Sequence, residues 1–135
     1  MKQLVFIPLI LGLAALLGYG VLRASGMHPH AREMFAALIP SVVAGMVALL
    51  PAILQRAYGQ AAVVQGAFHG MIIHIGLTVA LALALYFALG LQGSSTDPFA
   101  MWLLWFFGVT LLMVSGSLIR VIRATPVVRS ELPNH

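Results

Sequence analysis

Five histidines and three carboxylates are the residues of this 135-residue chain best able to do chemistry. Cysteine is absent, which excludes a thiolate metal site, a cysteine nucleophile and a disulfide framework. His28-Pro29-His30 places two imidazoles two residues apart, with Glu33 close behind. Such a trio is a weak candidate for a metal site, set against the plainer reading of a solvated loop. His74 lies deep in an apolar run, where an imidazole facing lipid would be costly. It should therefore face protein with its polar atoms hydrogen-bonded. It can serve as a proton relay, ligand or partner contact, or it can be a neutral side chain that locks two helices together. His69 sits five residues earlier, about 140° around a helix at 100° per residue, so the two imidazoles cannot share a site within one chain. No span carries a mid-membrane carboxylate, which disfavours a proton-carrying rotor subunit and a carboxylate-built channel for hard cations. Phosphate loops, nucleophile elbows and HExxH are missing, so an enzyme is not expected.

These residues sit in a chain that is 61% hydrophobic and 7% charged, with a mean hydropathy of +1.04. A soluble domain carries about 25% charged residues. A free-standing soluble fold and intrinsic disorder are both excluded on that balance. Four apolar runs, at residues 4–22, 35–54, 61–91 and 99–121, are each long enough to cross about 30 Å of hydrocarbon as a helix. The expected fold is all-α, an integral membrane protein of four transmembrane helices in an antiparallel bundle. Residues 1–124 form one domain, and residues 125–135 a flexible cytoplasmic tail. The first run is read as a retained helix, because 19 residues is long for a signal peptide and no A-x-A site precedes Arg23. Asp97-Pro98 is expected to start the fourth helix, with Asp97 as its cap.

An even number of spans puts both ends on one side. Lys2, Arg56, Arg120, Arg123 and Arg129 fall there, against Arg23 and Arg32 on the other, which favours cytoplasmic termini. Tyr19, Tyr86, Trp102 and Trp105 are expected at the outer interface and Tyr58 at the inner one. The net charge of +4 is thus first a topology signal. Nucleic-acid binding is not expected, since the basic residues are scattered.

One helix face stands out. Gly66, Gly70, His74 and Thr78 recur every fourth residue, and the glycines allow another backbone to approach closely. The second helix offers small residues at helical spacing, including Ser41 and Gly45, and is the expected neighbour. Pro51 lies inside that helix, where a kink is expected. Thr110, Ser115 and Ser117 of the fourth helix can bond back to their own helix or across to His74.

The order of these features resembles the ATP synthase I chain family, small four-span proteins encoded beside bacterial F-type ATP synthases. The likeness runs over residues 35–123. It is carried by SVVAGMVALLPAIL (residues 41–54), a short basic turn, GAFHGMIIHIGLTVALALAL (residues 66–85), and a last helix with Trp102 and Trp105 and a basic end. Gly70 to Ile75 (GMIIHI) falls where the family often has a glycine followed by an acidic and then a basic residue. Met71 stands at the acidic position and His74 at the basic one. The resemblance implies a non-enzymatic protein of the bacterial inner membrane that assists assembly or stability of the rotor ring of c subunits. Gly66, Gly70, His74 and Thr78 would be its contact stripe, with Ser41 and Gly45 opposite. Expected partners are membrane lipid and ATP synthase membrane subunits, with no resident cofactor. A Mg²⁺ role has also been proposed for the family, and the missing carboxylate at Met71 weakens that version most. Two alternatives are an accessory subunit of a respiratory-type complex, sharing a haem through His74, and a small Mg²⁺ or other cation transporter.

Overall fold

The computed structural model describes residues 2–126, the side chains of residues 2–4 and 95 excepted. The described chain is helical, with four long helices: α1 (Lys2–Ala24), α2 (Ala31–Leu54), α3 (Gln60–Ala88) and α4 (Thr96–Ala124). Each is long and apolar enough to cross a membrane. Of the expected tail, only Thr125 and Pro126 fall within the described residues; residues 127–135 lie outside them.

Helix ends follow local chemistry more closely than they follow the apolar runs. α1 closes on Gly26 at φ +76°, with the Gly26 N–H on the Arg23 carbonyl and the Met27 N–H on the Leu22 carbonyl. α3 closes in the same way on Gly90 at φ +60°, with bonds from Gly90 to Phe87 and from Leu91 to Tyr86. These are glycine-capped ends in which the left-handed residue frees two N–H groups to reach back. The apolar run continues to Leu91, but α3 stops at Ala88, because Gly90 takes the left-handed conformation and turns Leu91 back into the bundle, where it is fully buried. α2 starts at Ala31, four residues ahead of its apolar run, taking Arg32 and Glu33 into its first turn. It runs unbroken through Pro40 and Pro51. α4 begins at Thr96, so Asp97 lies in the first turn, not at the cap, where its charge still favours the helix N-terminus.

α2 is the central helix and packs against the other three, while α1 reaches only α2 and α4 to any extent. Polar contacts tie the ends. The Arg32 guanidinium donates to the Leu89 carbonyl, joining the start of α2 to the end of α3. Gln60 reaches the Ile122 carbonyl at 3.5 Å, joining the start of α3 to the end of α4. Trp102 donates to the Pro29 carbonyl at 2.9 Å, and Trp105 to the Ala14 carbonyl at 3.3 Å. Trp102 is therefore no belt residue at the lipid boundary. It is 2% exposed and stacks on Phe106, with Gly18 of α1 against its ring; a Cβ on Gly18 would lie 2.8 Å from that ring.

Candidate functional site

Gly66, Gly70, His74, Thr78 and Ala82 are all buried, and the two glycines lie against α2. A Cβ on Gly66 would lie 2.7 Å from the Pro51 carbonyl oxygen and 3.0 Å from the Ala52 Cα. A Cβ on Gly70 would fall on the Ala48 carbonyl oxygen. Both obstacles are backbone, so only glycine permits this approach. Numbering climbs along α3 as it falls along α2. The stripe that sequence marks for contact is thus used inside the chain, where it joins α3 to α2.

Gly45 is not what lies opposite the glycines. Those positions belong to Ala48, Pro51 and Ala52, whereas Gly45, about 60° around the axis from Ala48, faces α4 and α1. A Cβ there would meet Thr110 of α4 at 2.5 Å and Ile7 of α1 at 3.4 Å. The reason is the central place of α2, whose small residues serve more than one neighbour. Ser41 is fully buried, and its hydroxyl donates to the Ala37 carbonyl at 3.2 Å.

His74 is the midpoint of α3, fully buried and stacked on Phe107 of α4, with ring centroids 5.2 Å apart and planes 20° from parallel. It faces protein as expected, but neither ring nitrogen has a hydrogen-bond partner. The nearby hydroxyls are engaged elsewhere. Thr78 donates to the His74 carbonyl at 2.7 Å and Thr110 to the Phe106 carbonyl at 2.6 Å. Each hydroxyl closes on its own helix four residues back, which is the default for Ser and Thr in apolar surroundings. Of the two alternatives for the α4 hydroxyls, Thr110 takes the bond back to its own helix, and among the described residues none reaches the imidazole.

This arrangement does not fit a haem. His74 would have to leave its stack on Phe107 and its place between helices to present a nitrogen outward. His69 lies on the far side of α3, exposed, with its Nδ1–H donating to the Gln65 carbonyl at 2.8 Å. Nor does the loop pair find its carboxylate. His28 and His30 line a surface cavity of about 540 Å³ with Asp97 and Pro98, while Glu33 is 7% exposed on α2. Among the described residues, no three His, Cys, Asp or Glu side chains gather closely enough to hold a metal ion. His30 takes a left-handed φ of +47° as the residue before α2.

Sequence reasoning treated His69 only as a residue that cannot meet His74. Its exposure beside Gln65, on the face of α3 turned away from α2, is the feature it missed. The signal was available in the phase of Gln65, His69 and Gly76, which lies about 100° around the axis from that of Gly66 and Gly70. No family model matches this chain, and no curated protein or solved structure matches it either.

Proposed function

We propose that this chain is a multi-pass protein of the bacterial inner membrane that acts by binding other membrane helices. It is read as an antiparallel four-helix bundle with both ends in the cytoplasm. The supporting observation is where polarity and small residues are spent. The hydroxyls of Ser41, Thr78 and Thr110 close on their own helices, and Gly66 and Gly70 are consumed in the α2–α3 joint. What remains outward is apolar apart from Gln65 and His69 on α3, with open space beside Gly12, Gly76, Gly108 and Gly116. A bundle of this kind offers lipid-facing helices that a partner can approach closely, and among the described residues no line of polar groups runs through it to conduct an ion. The resemblance to the ATP synthase I chain family supplies the partner class, the c subunits of an F-type ATP synthase, with assembly of their ring as the task.

Two measurements test this. The tagged full chain, extracted in mild detergent from bacterial membranes that contain F-type ATP synthase, should carry c subunits with it. Capture without c subunits removes the assembly role. The second measurement tests topology and uses the absence of cysteine. Single replacements Ser25→Cys and Ser94→Cys should label from outside the cell, and Ala57→Cys only after the membrane is opened. Labelling of Ala57→Cys from outside would reverse the orientation.

A further inference from the structure

α3 carries two opposite stripes. One is the buried joint to α2. The other comprises Gln65, His69, Ile72, Gly76, Val79 and Leu83, all exposed. At 100° per residue its centre lies about 180° from the buried stripe. Its steps of four, three, four, three and four residues make the 3.5-residue seam along which two helices cross left-handedly.

This seam is polar at a depth where lipid cannot satisfy polarity. Gln60 touches Ile122, between Arg120 and Arg123, and we take this basic end of the bundle as the boundary on this side. His69 is nine residues further on, about 13 Å along the helix, beyond the reach of its short side chain to the headgroups. An exposed imidazole there needs a hydrogen-bonding neighbour.

The atoms specify that neighbour. A carbonyl only accepts, so the Nδ1 that meets the Gln65 carbonyl carries the proton. In the neutral ring Nε2 is then an acceptor, on the edge turned away from the helix. The Gln65 amide supplies donors one turn earlier on the same face. A donor and an acceptor one turn apart are self-complementary about a two-fold axis, because Gln65 of each chain can donate to His69 of the other. An unrelated helix would need its own donor in register, whereas a second copy brings it by symmetry. Further along, Gly76 has no atom within 4 Å of where a Cβ would stand, so a second backbone can come close.

We infer that two copies of this chain pair within the membrane through the outer face of α3, with Gln65–His69 hydrogen bonds across a two-fold axis and Gly76 at the closest approach. The pairing is separate from the proposed partner and survives even if c subunits do not bind.

Oxidative cross-linking in native membranes tests it, because the chain has no cysteine of its own. Disulfide dimers should form from Ile72→Cys, Gly76→Cys, Val79→Cys and Leu83→Cys. Yields from Ile75→Cys on the flank of α3, and from Leu104→Cys and Leu112→Cys on α4, should be at least about fivefold lower. Those α4 positions are 71% and 77% exposed, so they report random collision. On the otherwise native chain, Gln65→Leu or His69→Leu should weaken the dimer about three- to tenfold, and His69→Gln should restore it. Gly76→Leu should abolish the dimer and leave the monomer fold intact, since its new side chain enters open space. Equal yields on α3 and α4, or a dimer indifferent to Gly76→Leu, would overturn the inference.

Discussion

Gly70→Leu is expected to cost the chain its tertiary packing, with a loss above about 3 kcal/mol. A Cβ at this position would fall on the Ala48 carbonyl oxygen, and that oxygen is backbone in the middle of α2. No rotamer change can clear it, so α3 must move off α2. That movement uncovers the joint on both sides, including Ala48, Ala52, Val63 and Ala67, each at most 8% exposed. Overpacking a core by flexible side chains already costs about 1–3 kcal/mol, and a backbone obstacle lies above that range. Total stabilities are about 5–15 kcal/mol, so the variant should be largely unpacked in detergent at a temperature where the native chain is folded. Gly76→Leu is the internal control: the same substitution, six residues on in the same helix, into open space. Thermal unfolding of the purified monomers should place Gly70→Leu far below Gly76→Leu. Matching midpoints would mean that α3 does not rest on α2 as described. The result also bears on partner assays. A Gly70→Leu chain that no longer captures a partner has first lost its own fold, so outward glycines such as Gly108 are the better probes of docking.

The spans were legible in the sequence because hydrocarbon thickness sets a length that few other structures need. Their ends were less so. Nothing in hydropathy says that α3 stops at Ala88, since Leu89 and Leu91 are as apolar as what precedes them; Gly90 decides it through its backbone. Likewise Arg32 and Glu33 belong to α2 although they are charged, because the helix extends beyond the apolar layer. The Gly66–Gly70 pair was legible as a close-approach motif, and α2 as its neighbour. The side of α2 was not. Gly45 and Ala48 are three residues apart, about 60° around the axis, and both are small. Periodicity alone cannot say that Ala48 meets α3 while Gly45 meets α4 and α1. Trp102 sits at the loop end of the bundle, near the outer loop as expected, but it turns inward, for a related reason. An indole near a helix end suits a membrane interface, but a loop carbonyl at Pro29 can satisfy its N–H just as well and draw the ring inside.

His74→Leu should stabilise the bundle, which is the opposite of what a structural histidine would show. Both ring nitrogens are enclosed at the middle of α3 without partners, and a buried unsatisfied polar group costs about 1–3 kcal/mol. Leucine has similar bulk and no polar atom, so the substitution removes that cost while keeping the space filled. It forfeits the stack on Phe107, about 0.5–1.5 kcal/mol for an aromatic pair. The balance favours leucine by about 1–2 kcal/mol, a rise of several degrees in Tm for a chain of this length. The neighbouring hydroxyls should not respond, since Thr78 and Thr110 are already bonded to their own helices. Thr110→Val should therefore lack the coupling to His74→Leu that a shared hydrogen bond would produce, and the double variant should melt where the two single changes add. A fall in Tm with His74→Leu would establish that the imidazole is held by a group it does not touch here. Strong non-additivity with Thr110→Val would identify that group as the α4 hydroxyl, turned away from Phe106 and towards the ring.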